Sequence, residues 1–120
     1  MKFYYQGQLL RTSKTRHYTH ACISIEDGKI ICKGCSITKA GAEKVKREYE
    51  TTLEKAIFSE NARIEALKAG KSGYYNRKHE WISFKSFDQG TIEDNERWMA
   101  GDKARLERVR QWQIVELEEA

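Results

Sequence analysis

Proline is absent from the 120-residue chain, so its turns fall to other residues, and eight glycines do most of the punctuating. Long apolar runs are missing as well. The longest, such as Leu9-Leu10 and Ile30 to Cys32, fall far short of the ~20 residues a bilayer helix needs. Met1-Lys2 leads into a Tyr-rich stretch rather than an apolar run with a small-residue cleavage site, so no export signal is expected. Cysteine is scarce and odd in number, at three, which argues against a disulfide framework and for reduced thiols in a cytoplasm. The loops of phosphate chemistry and hydrolysis are lacking too: there is no G-x-x-x-x-G-K-[ST], no nucleophile elbow and no His-Glu-x-x-His pair. The histidines are His17, His20 and His79, and no catalytic constellation forms around them. The sequence therefore predicts a protein that is not an enzyme.

What is present is charge, unevenly placed. Charged residues make up 33% of the chain against 39% hydrophobic ones, and at 14.0 kDa there is room for one domain and one core. Residues 1–35 carry six basic groups (Lys2, Arg11, Lys14, Arg16, Lys29, Lys33) against Glu26 and Asp27, whereas the rest of the chain carries sixteen of each sign. A basic front on a neutral body suits a phosphate-bearing partner, polymer or small ligand. It equally suits ordinary solubilising residues on exposed strands.

Hydrophobic spacing divides the chain. Phe3-Tyr4-Tyr5 and Leu9-Leu10 flank Gln6-Gly7-Gln8, and Tyr18–Glu26 and Lys29–Lys33 flank Asp27-Gly28, which predicts two hairpins within residues 1–35. Polar residues from Arg11 to His17 form the connection. From Thr38 the period changes to that of a helix, with Ala42, Val45, Tyr49, Leu53, Ile57, Ile64 and Leu67 in step, ending near Gly70 and Gly73. A first helix is expected over residues 36–70, an aromatic connection over 71–90 (Tyr74, Tyr75, Trp81, Phe84, Phe87) and a second helix over 91–120. Thr91-Ile-Glu-Asp approximates a capping box, and Met99, Leu106, Val109, Trp112 and Leu117 mark the second helix's buried side. The expected fold is α+β, a small N-terminal antiparallel sheet followed by two long α-helices in one domain. Helices this long cannot be fully covered by so small a sheet, and exposed apolar surface that includes Trp98 and Trp112 predicts a homo-oligomer.

Two chemistries remain. Cys32-Lys-Gly-Cys35 has half a zinc site's spacing, with Cys22, His20 and His17 as further ligands, but hairpin alternation puts Cys32 on the opposite face from Cys22 and His20. Neither metal nor cofactor is expected, and a thioredoxin-like redox role is disfavoured, since that motif should precede a helix in a βαβ unit and no parallel sheet is indicated. The other chemistry is binding: Arg11, Lys14, Arg16 and Lys33 with nearby hydroxyls can grip phosphate, and a Phe or Trp can stack on a nucleobase. The plain alternative for Trp81, Phe84 and Phe87 is that they cover the sheet or the helix ends, and for Arg105 and Arg108 that they pair on an exposed helix face.

Leu9-Leu-Arg-Thr-Ser13 and Tyr18-Thr-His-Ala21, followed by a hairpin and two helices joined by an aromatic segment, resemble the viral Thoeris anti-defence proteins of the first type. The resemblance implies a bacteriophage protein acting in the host bacterial cytoplasm as a sponge. Such a sponge sequesters cyclic ADP-ribose-type immune signals, in some members cyclic oligonucleotides as well, without turnover. It implies homo-oligomers built from dimers, up to hexamers; the lack of a long apolar run separately predicts no membrane partner. Phe84 or Phe87 would stack on adenine, Arg63 on the first helix and Arg105 or Arg108 on the second would contact ligand, Thr91 and Asn95 would lie near ribose or phosphate, and Arg16 and His17 beside the site. Two other readings stay open on the residues alone: a small basic nucleic-acid-binding protein, and an inhibitor that docks on a host protein through Trp98 and Trp112.

Overall fold

The computed structural model describes residues 1–85 and 89–120, which fall into two compact units. The first comprises Met1–Tyr49 and Arg108–Ala120, the second Glu50–Glu107.

In the first unit, β1 (Lys2–Tyr5) and β2 (Gln8–Thr12) form one hairpin, and β3 (His20–Glu26) and β4 (Lys29–Ser36) another. Both turn through two residues of positive φ, Gln6-Gly7 (49° and 78°) and Asp27-Gly28 (52° and 76°). That mirror-image turn matches the twist of paired strands and is least strained with glycine second. Both hairpins thus form where the spacing places them. Their open edges are completed by the C-terminal segment: β7 (Gln113–Glu116) pairs antiparallel with β3, and β8 (Glu118–Glu119) with β1. The resulting sheets run β4-β3-β7 and β2-β1-β8. Ala21, Ile23 and Val115 form a core cluster, packed by Tyr5, Leu10, Ile30, Cys32, Cys35 and Leu117. Phe3, fully buried, meets the Tyr18 ring edge-on at 5.3 Å.

In the second unit, β5 (Gly73–Tyr75) and β6 (Trp81–Ser83) make a small two-stranded sheet inside the aromatic connection. Helix α1 runs Lys39–Lys68, 30 residues or about 45 Å, so its first part belongs to the first unit and the remainder to the second. Its C-terminus closes as a Schellman motif, with Lys71 N–H on the Ala66 carbonyl (2.9 Å), Gly70 N–H on Leu67 (3.1 Å) and Gly70 at φ 69°. Helix α2 spans Ile92–Arg110. Thr91 Oγ1 accepts from Asp94 N–H while Asp94 Oδ2 accepts from Thr91 N–H, both at 3.0 Å, so the capping box read from the sequence is formed.

The expected architecture needs correction. Among the described residues there are eight strands in three sheets and two helices, and the strands are spread along the chain rather than gathered in front of two long helices. The second helix does not reach residue 120. It tightens through bonds from Gln111 to Arg108 (3.1 Å) and Trp112 to Val109 (3.0 Å), and then Gln113-Ile-Val-Glu takes up strand alternation. Trp112 and Leu117 look like further helical positions only because their spacing suits either period. A local factor and a non-local one decide it: the β-branched pair Ile114-Val115 fits a pleated surface, and the edges of β3 and β1, far away in sequence, would otherwise present rows of unpaired backbone groups. Trp112 also departs from the exposed surface assigned to it. It is half-buried, edge-on to Tyr49 at 5.0 Å with Lys33 Nζ 4.9 Å from its ring, whereas Trp98 remains 42% exposed. No helix among the described residues is long and apolar enough to cross a membrane.

Candidate ligand-binding site

A polar seam runs through the second unit. On α1, Glu60 and Arg63 lie three residues apart; on α2, Asn95, Trp98, Asp102 and Arg105 recur at intervals of three and four, which sets them on one face. Asn95 is wholly buried, and its amide makes three hydrogen bonds: Nδ2 donates to the Gln89 carbonyl (2.9 Å) and the Thr91 carbonyl (2.8 Å), and Oδ1 accepts from Arg63 Nε (2.6 Å). Arg63 Nη1 donates to the Tyr74 hydroxyl (3.2 Å), which in turn donates to Gln89 Oε1 (3.3 Å). The same guanidinium lies 5.6 Å from the Tyr74 ring centroid, and Tyr74 faces Phe84 at 5.8 Å with the planes tilted by 31°.

This arrangement immobilises a cation. Two of the guanidinium's donor nitrogens are fixed, while Nη2 has no partner among the described residues. Gln89 Nε2 is a buried donor that likewise finds no acceptor among them. A buried unpaired donor costs about 1–3 kcal/mol, which an incoming acceptor would relieve. Guanidinium and amide donors beside a ring pair are the tools for holding an anion attached to a flat heterocycle.

Alongside lies a cleft of about 480 Å³ lined by Glu60, Arg97, Trp98, Gly101, Asp102 and Arg105. Glu60 is buried, at 4% exposure, and burial, reinforced by a hydrogen bond and repulsion from Asp102, pushes its carboxyl up to about 7. Arg105 pairs with Asp102 at 2.7 Å, and Arg97 with Asp94 at 2.8 Å. Asp94 itself is held below the usual carboxylate range, first by the Thr91 N–H and then by Arg97. A second cleft, of about 500 Å³, lies among Thr51, Lys55, Ser59, Arg77, Lys78 and Glu80 and offers cations but no aromatic ring.

The residues singled out in the sequence divide accordingly. Arg63, Phe84, Thr91 and Asn95 come together around Tyr74 and Gln89, and Arg105 lines the adjoining cleft. Within this group Asn95 orients Arg63, and the Thr91 hydroxyl is occupied as a helix cap. Arg16, His17 and Arg108 are residues of the first unit. Arg16 N–H bonds Ser13 Oγ at 2.9 Å, His17 Nδ1 lies 3.5 Å from Glu119, and Arg108 lines a small cavity with Trp112 and Gln113. Phe87 lies outside the described residues.

The sequence reading leaves Gln89 and Glu60 unremarked, places Tyr74 in the aromatic connection without a role at the site, and takes Trp98 only as association surface. Glu60 carried a signal: it interrupts the apolar run Leu53, Ile57, Ile64, Leu67 at a helical position that should be buried. Gln89 carried none.

Comparison of the chain with protein-family models, with curated proteins and with solved structures finds no match.

Proposed function

We propose that this chain is a viral anti-defence sponge that binds and sequesters cyclic ADP-ribose-type signalling nucleotides and thereby inhibits bacterial Thoeris immunity. The observation that carries the reading is the Arg63 guanidinium, held by Asn95 and Tyr74 next to the Tyr74–Phe84 ring pair and the unsatisfied Gln89 amide. A cyclic ADP-ribose isomer offers what these groups lack, namely phosphate oxygens for the guanidinium and amide and an adenine face for Phe84 or Trp98. Sequestration needs only affinity and copy number, so a site made of donors and rings, without a nucleophile poised beside a base, is sufficient. Affinity near the nanomolar range, about -12 kcal/mol, would let one molecule of protein remove one of signal. Action in the host bacterial cytoplasm as a homo-oligomer built from dimers belongs to the same proposal.

A thermal-shift screen against cyclic ADP-ribose isomers and cyclic oligonucleotides tests it. Ligand at 100 times its dissociation constant stabilises the fold by ~2.7 kcal/mol, and heating the complex should release the nucleotide chemically unchanged. Arg63→Ala should abolish the shift, and separate Phe84→Ala and Trp98→Ala variants identify the stacking ring. No stabilisation by any of these compounds, together with salt-sensitive retention on DNA, would replace the proposal with a nucleic-acid-binding one. Recovery of an altered nucleotide would make the protein an enzyme.

A further inference from the structure

A different chemistry sits in the first unit. Residues three apart on a regular strand point to opposite faces, so Cys32 and Cys35 of β4 should be kept apart by the sheet. They are not, because the β3–β4 ladder is bulged: Ile23 pairs with Cys32 but Cys22 pairs with Gly34, leaving Lys33 as the extra residue. The bulge reverses the alternation, and Cys35 falls opposite Ala21 on the face Cys32 already occupies. Both side chains pack on the Ala21–Ile23–Val115 cluster, half-buried, with their sulfurs 3.6 Å apart. Their cross-strand partners are two residues apart, a spacing of about 6.6 Å that lies within the Cα range a disulfide spans.

The pair is also electrostatically unequal. The Cys35 thiol donating to Cys32 is the largest influence that lowers Cys32 from 9.0 to about 6, with the Gly34 N–H and the Arg11 guanidinium adding to it against the effect of burial. Cys35 is driven far upward by the same hydrogen bond, by burial and by the Cys32 charge. No third His, Cys, Asp or Glu among the described residues joins the two to make a metal site.

We propose that Cys32 and Cys35 form a redox-active dithiol that exchanges with low-molecular-weight disulfides of the glutathione kind, with Cys32 as the attacking sulfur and Cys35 as the resolving one. In the first step the Cys32 thiolate attacks one sulfur of the small disulfide, the S–S bond breaks, and one small thiolate leaves and takes a proton from water. Cys32 then carries no charge. The hydrogen bond and repulsion that held the Cys35 proton vanish with it, so Cys35 ionises, attacks the Cys32 sulfur and expels the second small thiol. Two protein thiols are oxidised and one disulfide is reduced to two thiols. The buried Cys22, on the other face of the sheet, takes no part.

The test is a titration of the full chain with glutathione disulfide near pH 8, followed by alkylation and mass spectrometry, with far-UV circular dichroism to establish folding. The wild type should lose two hydrogens and two alkylatable thiols. A non-reduced tryptic digest should keep the peptides on either side of Lys33 linked through Cys32 and Cys35. Cys35→Ser, and independently Cys35→Ala, should stop at the first step and accumulate a glutathione adduct on Cys32 that the wild type does not retain. The assignment is overturned if folded wild type keeps both thiols alkylatable in excess glutathione disulfide, if its disulfide joins two chains, or if neither Cys35 variant accumulates the adduct.

Discussion

The two units bury opposite things. The first is closed by apolar and small residues: Phe3, Ala21, Cys22, Ile23, Ala42, Val109 and Val115 are buried, with Ser24 the polar exception among the described residues. The second buries Glu60, Gln89 and Asn95 beside Ile64, Ala66, Tyr74 and Leu106. Apolar burial is worth about 25 cal/mol per Å² wherever it occurs and specifies little beyond volume, whereas a buried amide or carboxyl is destabilising unless each of its bonds is made. The first unit is therefore organised to be stable, and the second to hold particular groups in particular orientations. Unmet bonding capacity does not divide the units: the Gln89 amide and Glu60 Oε1 go unpartnered in the second, and Ser24 Oγ does so in the first, so the contrast lies in how much polar chemistry each unit buries.

The sharpest way to break this comparison is to truncate each unit at its most buried large residue. Phe3→Ala removes a ring with no exposed surface and its edge contact with Tyr18, and should lower stability by about 4 kcal/mol, read as a fall in denaturation midpoint. Asn95→Ala removes little volume but leaves the Gln89 carbonyl without its donor and Arg63 without its acceptor, and strips the Thr91 carbonyl of the side-chain donor while the Asn95 backbone N–H still reaches it, so about 3 kcal/mol should be lost. Asn95→Leu should not restore it. If Asn95→Leu were as stable as the wild type, the polar seam would be ordinary core and the contrast between the units would disappear.

Glu60 sharpens the contrast through pH. Its carboxyl is raised from the ordinary 4.5 to about 7, first by burial and then by Asp102, so the folded state holds a proton that the unfolded chain releases earlier. Its folded state is therefore favoured at low pH, and this contribution declines as pH rises from about 4.5 to about 7. The loss between about pH 5 and about pH 8 should be of order 2 kcal/mol. Glu60→Gln keeps a donor toward Asp102 without the charge. It should match the wild type near pH 5 and exceed it near pH 8, in denaturant titrations at each pH. Equal pH profiles for the two proteins would mean that Glu60 ionises freely in the folded state.

Local signals were legible and long-range ones were not. Asp27-Gly28, the Thr91–Asp94 box and the Gly70 stop are each settled within a few residues, and each stands where the sequence puts it. The return of residues 113–119 to the front strands depends on open sheet edges between 90 and 116 residues earlier, so periodicity alone extends the helix past Arg110. The bulge at Lys33 escaped notice for the same reason, since alternation read from the turn carries Gly34 onto the face that Cys35 takes. In the candidate site, Arg63 and Phe84 are the residues that residue type and resemblance single out. Tyr74 and Gln89 act by meeting Arg63 and each other, and no spacing in the sequence encodes those meetings.

The smallest of these effects separates the seam's framework from its contacts. Thr91 caps α2 with its hydroxyl while its carbonyl receives Asn95, so two functions sit on one residue, one in the side chain and one in the backbone. Thr91→Ala deletes only the cap and should lower stability by about 1 kcal/mol, as a modest shift in denaturation midpoint. Thr91→Ser keeps the hydroxyl and should recover nearly all of it. Because the backbone bond to Asn95 survives in both variants, Arg63 stays fixed, and under the proposed function nucleotide affinity should be unchanged once the protein is folded. A loss of affinity in Thr91→Ala that Thr91→Ser restores would move the hydroxyl from the helix cap to the ligand, and would make the opening of α2 part of the site rather than its support.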